Sequence, residues 1–135
     1  MLRKIASILF LLTSLVIGLG ALGHGSNMAK VAAEFAKFPA LDMRMMKVVT
    51  IVWYFCSGCM FTLGVILVWA WWRIRKGARD VFVVPFAIGV LYVVGGALSV
   101  NYSGVPFFWL FVVLGALLIA TSLALMTGEP ARSKP

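Results

Sequence analysis

Three groups of residues have the types and spacing that chemistry requires. Cys56-Ser57-Gly58-Cys59 is a C-x-x-C pair. Two cysteines at i and i+3 on a helix can approach each other, and a C-x-x-C near a helix start lowers a thiol pKa. Such a pair is suited to thiol–disulfide exchange. His24 is the single histidine. One imidazole can act as an axial ligand or a pH-sensitive group, but zinc and di-iron sites need several N, S or O ligands. Gly18-Leu19-Gly20-Ala21-Leu22-Gly23 matches the dinucleotide pattern G-x-G-x-x-G letter for letter. That fingerprint works only between a buried strand and a helix, with an acidic residue about 20 positions on. Here it lies inside an apolar run, so these glycines read as helix-packing positions.

The elements that hold these residues follow from composition. The chain has 135 residues, 63% hydrophobic and 12% charged, against about 25% charged in a soluble domain. No Asp, Glu, Lys or Arg occurs from Ile5 to Ala29, from Val48 to Trp72 or from Val81 to Gly128, stretches of 25, 25 and 48 residues. A bilayer span needs about 20, so the last run is long enough for two. The fold class is therefore all-α: a four-helix transmembrane bundle with spans near 5–23, 48–72, 81–100 and 105–126. Together they form a single membrane domain over 1–128. A lipid-exposed chain satisfies its backbone internally, and the runs do not alternate as barrel strands would. A soluble enzyme, a nucleic-acid-binding domain and a disulfide-stapled secreted fold are excluded.

Asn101-Tyr102-Ser103-Gly104-Val105-Pro106 is the only break in the longest run, and this cluster of turn formers divides the third span from the fourth. Pro85 and Pro106 fit first turns, where a missing N–H costs nothing. The first span has about 18 apolar residues behind Arg3-Lys4, longer than the 7–15 of a secretory signal. It reads as uncleaved.

Charge sets the expected orientation. With the N-terminus inside, Arg3, Lys4, Arg73, Arg75, Lys76, Arg79, Arg132 and Lys134 face the cytoplasm, and Lys30, Lys37, Arg44 and Lys47 face out. Eight against four predicts both termini in the cytoplasm of a bacterial inner membrane. Trp53 and Tyr54 then lie near the outer end of the second span, and Trp69, Trp71 and Trp72 near its inner end. Tyr102, Phe107, Phe108 and Trp109 mark the outer level of the last hairpin. The net charge of +8 reads as attachment to anionic lipid.

The outer segment 24–47 carries Met28, Val31, Phe35 and Phe38 at helical spacing, with Lys30, Glu34 and Lys37 off that face. This predicts a short amphipathic helix capped by Ser26, ended by Pro39 and lying in the interface plane. Asp42 is placed to cap the second span. The tail 129–135 reads as disordered. Gly58, Gly64, Gly95, Gly96 and Gly115 are expected at helix–helix contacts, with Gly89, Ala116 and Ala120. Hydroxyls such as Ser14, Thr50, Ser57 and Thr121 are expected to bond back to their own helices.

Absences narrow the function. Ion-coupled transporters and proton relays carry an ionisable Asp, Glu, Lys or Arg in the membrane core, and no span here does. His24, Trp53 and Tyr92 are the candidate ligand-binding residues; the sequence points to no metal. The glycine-rich first span, the outer loop with a short helix, and the second span ending at Trp72-Arg73-Ile74-Arg75-Lys76 resemble the layout of small bacterial four-span proteins of the DoxX-like kind. That resemblance implies a fold, not an activity. The acidic residue such proteins often carry in the second span is absent. The C-x-x-C resembles the active pair of quinone-coupled thiol oxidoreductases of the disulfide-bond-B and vitamin-K-epoxide-reductase type. Those normally use a second pair, and this chain has only two cysteines.

Two functions are thus expected. One is a non-catalytic membrane protein, either an accessory subunit of a larger membrane complex or a binder of an apolar ligand, with lipid or quinone as the ligand class. The other is a thiol-disulfide or quinone oxidoreductase using Cys56 and Cys59. Expected partners are membrane lipids and other membrane subunits or further copies of the chain; nucleic acid is not among them.

Overall fold

The computed structural model describes residues 1–38 and 42–127. The chain forms α1 (Leu2–Ser26), α2 (Met28–Phe35), α3 (Met43–Arg75), α4 (Val83–Ser103) and α5 (Trp109–Thr127), with single 3-10 turns at Asp80–Phe82 and Pro106–Phe108. Among the described residues there is no strand. Four helical runs are long and apolar enough to cross a membrane, with mean hydropathies of 2.1 to 2.4. The protein is an all-α integral membrane protein of four spans. At about 1.5 Å per residue, the 33 residues of α3 reach roughly 50 Å, beyond the ~30 Å hydrocarbon core.

Each boundary has a local cause. Asp42 stands before α3 and accepts the Arg44 N–H on its Oδ1 at 3.1 Å, satisfying a donor left open at a helix start. After α3, Gly77 takes φ +92, the Gly77 N–H bonds Ile74 O and the Ala78 N–H bonds Arg73 O. That pair of bonds closes the helix in a left-handed glycine cap. Gly104 ends α4 in the same way, with φ +69 and its N–H on Val100 O at 2.8 Å.

Several boundaries differ from the sequence expectation. The break between α4 and α5 is narrower than Asn101–Pro106: Asn101, Tyr102 and Ser103 are helical, and only Gly104 and Val105 separate the elements. Ser103 Oγ extends the helix by bonding Ser99 O at 2.6 Å and accepting the Val105 N–H. Ser26 does not cap α2; its hydroxyl turns back to Gly23 O at 3.0 Å. Asn27 precedes α2 in a right-handed helical conformation (φ −73, ψ −8). The expected interfacial helix is therefore a direct continuation of α1 rather than a separate element after a loop. It presents the expected face, with Met28 buried and Val31 and Phe35 half-buried, while Phe38 is exposed. Pro39 and the tail 129–135 lie outside the described residues.

Contacts divide the chain into two compact units. One joins Met1–Leu15 to the described residues from Ile66 onward; the other is Val16–Val65. In the first unit all four spans contribute buried side chains: Ala6 and Phe10 from α1, Leu67, Ala70 and Ile74 from α3, Pro85 and Ile88 from α4, Leu118 and Leu125 from α5. Their three- and four-residue spacing gives each helix one inward face. Hydroxyls in these faces return to their own helices: Ser14 to Phe10 O at 2.8 Å and Thr121 to Leu117 O at 2.6 Å. Trp71 ties α3 to α1 through Nε1, which donates to Ser7 O and Ser7 Oγ, each at 3.0 Å.

Helices α4 and α5 approach through small residues. A Cβ on Gly115 would lie 2.5 Å from Gly89 O, and one on Gly89 would lie 2.9 Å from Gly115 O. A Cβ on Gly96 would come within 2.9 Å of the Val112 N. Gly95 is different: nothing lies within 4 Å of an added Cβ. One helical step of 100° carries it off the contact face. In the second unit, a Cβ on Gly18 would lie 3.3 Å from Gly64 Cα. Gly58 is not a packing position, since an added Cβ there also meets nothing within 4 Å.

Candidate functional site

The Val16–Val65 unit contains a polar cluster in an otherwise apolar setting. His24 lies in the last turn of α1. Trp53 and Ser57 lie four residues apart on α3, and so on one face of it. A Cβ on Gly25 would stand 3.5 Å from Ser57 Oγ, an ordinary contact distance. One on Gly20 would stand 3.4 Å from Met60 Cε, also in contact range.

Three hydrogen bonds and one ring contact close the cluster. Trp53 Nε1 donates to His24 O at 2.7 Å. Ser57 Oγ donates to Trp53 O at 3.0 Å and lies 2.9 Å from His24 Nδ1. The imidazole and indole rings stack at 4.2 Å between centroids, 15° from parallel. A hydroxyl has one proton. With that proton on the Trp53 carbonyl, His24 Nδ1 must be the donor to Ser57, and Nε2 carries the lone pair. In this arrangement a neutral imidazole has Nε2 able to accept one hydrogen bond or to offer one ligand atom.

Tyr92, the third candidate, belongs to the other unit. Its ring stands edge-on to Phe111, at 5.8 Å and 85°, among the aromatic contacts of Phe107, Phe108 and Phe111. It is a packing residue of the α4–α5 hairpin. Among the described residues no three His, Cys, Asp or Glu side chains come together.

Cys56 and Cys59 are free and exposed. Cys56 stands thirteen residues after Met43, where α3 begins. The pair therefore lies well inside α3 and not near a helix start. The pair flanks the face that carries Trp53, Ser57 and Met60. It opens onto the apolar surface of α3.

Among the described residues, α3 is the least buried of the four spans. Only 11% of the apolar window of α3 is buried, against 33–39% for the other three spans. Ile51, Val52, Phe55 and Phe61 are each more than half exposed. At the far end of α3, cations cover aromatic rings: the Arg75 guanidinium lies 4.9 Å from the Trp71 ring centroid and Lys76 Nζ lies 3.9 Å from that of Trp72.

Sequence reasoning singled out His24 and Trp53 but not their link. Ser57 counted only as a hydroxyl inside the C-x-x-C. The available signal was the i, i+4 spacing of Trp53 and Ser57, which puts a donor ring and a hydroxyl on one helical face. Ser7, the partner of Trp71, had no comparable signal. Comparison with protein-family models, curated proteins and solved structures finds no match to this chain.

Proposed function

We propose that the chain is a non-catalytic membrane protein that acts by binding, as an accessory subunit of a larger membrane complex or as the holder of an apolar ligand of the lipid or quinone class. The observation that carries this reading is the bare flank of α3. A span that buries so little of itself leaves a long apolar strip, Ile51 to Phe61, for a neighbouring helix or ligand. Helix association in lipid relies on such van der Waals contact. The His24–Trp53–Ser57 clasp supports it, because it fixes α1 to α3 beside that strip. In this reading both termini face the cytoplasm of a bacterial inner membrane, as the eight-to-four count of basic residues favours. The experiment is extraction in mild detergent and identification of the protein, lipid or quinone that stays bound.

A second reading has one observation in its favour. Cys56 and Cys59 are both unbonded and accessible, as a reactive pair must be. Thiol trapping under oxidising and reducing conditions separates the two: a disulfide or mixed disulfide that forms in cells favours exchange chemistry, and permanently reduced thiols favour binding.

A further inference from the structure

We infer that Cys56 and Cys59 form a two-thiolate site for a soft, thiophilic cation of the copper(I) class. Both cysteines are free and exposed. They stand three residues apart in a helix that is unbroken from Met43 to Arg75, and residues at that spacing share one side of a helix. The two residues between them leave the approach open. Ser57 Oγ is engaged with Trp53 O and His24 Nδ1, and nothing lies within 4 Å of a Cβ added at Gly58.

Geometry separates a bridging ion from a disulfide. Helix neighbours at i and i+3 hold their Cβ atoms about 5–6 Å apart, whereas a disulfide draws them to about 3.5–4.5 Å. In the interior of a long helix that gap closes only if the backbone distorts. A metal–thiolate bond is about 2.3 Å for zinc, so an ion between two sulfurs spans roughly twice the ~2.05 Å of an S–S bond. Such a bridge fits the undistorted helix. Ligand pairs at i and i+3 on one helix also serve the metal sites of helical bundles.

The donor set selects the ion. Among the described residues no third His, Cys, Asp or Glu joins the pair. Structural zinc takes four ligands, and calcium and magnesium take oxygen donors. Soft sulfur donors select copper(I), a filled-shell ion that two ligands in line can satisfy. Trp53 stands three residues before Cys56, about 4.5 Å along the axis, and such a ring marks the headgroup level. Cys56 is thus within a turn of the depth that a dissolved ion reaches. On binding, each thiol releases its proton to solvent: two S–H bonds break, two metal–sulfur bonds form, and no electron is transferred. The site therefore goes beyond both functions proposed above, since neither calls for a metal.

The test is anaerobic titration of the reduced full chain in neutral detergent with copper(I), in competition with a chromophoric copper(I) chelator. The expected result is one ion per chain, with ultraviolet thiolate-to-copper absorption, tighter binding as pH rises, and both thiols shielded from a maleimide. Cys56→Ser and Cys59→Ser should each weaken binding about a hundredfold or more, since losing a group that merely orients a ligand already costs about 10–100-fold. Met60→Leu, which removes the adjacent thioether, should leave the affinity unchanged. Undiminished binding by the variant lacking both cysteines overturns the site, as do thiols that stay fully reactive when copper(I) is added. One ion per two chains, or zinc held as tightly as copper(I), overturns the two-thiolate assignment. The titration needs no bound partner, so its failure is distinct from a failure to recover one in mild detergent.

Discussion

His24 and Trp53 hold each other twice. Their rings stack at 4.2 Å, and the indole N–H of one donates to the backbone carbonyl of the other at 2.7 Å. A ring stack alone would tolerate sliding; the added hydrogen bond fixes its register. Ser57 then holds the imidazole at Nδ1, 2.9 Å away. The last turn of α1 is thereby pinned to one turn of α3, in a region where apolar contacts by themselves discriminate poorly between positions.

The clasp should behave as a unit. Ser57→Ala and His24→Ala should each destabilise the detergent-solubilised protein, and the double variant by less than their sum. A coupling of about 0.6 kcal/mol is the ordinary size for a hydrogen bond between membrane helices, with about 0.5–1.5 kcal/mol more from the ring stack when Trp53 is also replaced by Leu. A double-mutant cycle read by thermal unfolding checks this. Strict additivity would show that the three residues do not work together.

The contact between α4 and α5 should distinguish glycines that neighbour each other in sequence. Gly96→Leu, Gly89→Leu and Gly115→Leu should each cost about 1–3 kcal/mol through overpacking, because an added Cβ meets backbone within 3 Å. Gly95→Leu should be close to neutral. Melting temperatures of the four variants decide the matter, and an equal loss at Gly95 and Gly96 would refute the assigned face.

Replacing both cysteines by serine should leave accumulation and melting temperature nearly unchanged, since both are exposed and neither is bonded. Retained cellular function would accompany this under the binding reading. Loss of function at an unchanged protein level would favour thiol exchange instead.

Orientation is open to direct labelling. In a cysteine-free background, a cysteine introduced at exposed Ser103 should react with a membrane-impermeant reagent on whole cells, and a reporter fused after Pro135 should be active in the cytoplasm. Labelling with the opposite sense would invert the reading of the basic residues.

Much of the fold was legible because bilayer crossing leaves a plain mark in sequence. Uncharged runs of the right length allow only helices in lipid, and Pro85, Pro106 and Asp42 stand where helix starts need them. The boundaries that escaped did so for local reasons. Ser26 and Ser103 can each serve a cap or turn, or bond back to the preceding turn of helix, and composition does not choose between these. Gly95 and Gly96 are equivalent as letters; only the rotation of α4 against α5 separates them. The clasp was half visible, since His24 and Trp53 were evident as unusual residues. Their pairing depends on the register of α1 against α3, in which Gly18 faces Gly64.

The most direct test of the binding reading is site-specific photocrosslinking on the bare flank of α3. A photoreactive residue at Phe55, 70% exposed, should capture in native membranes a discrete species: one membrane protein, one quinone or one lipid class enriched over its bulk share. The same residue at Leu98 on α4, 63% exposed, serves as the reference for ordinary lipid contact. Capture of bulk lipid alone, in the same proportions at Phe55 as at Leu98, would contradict the account.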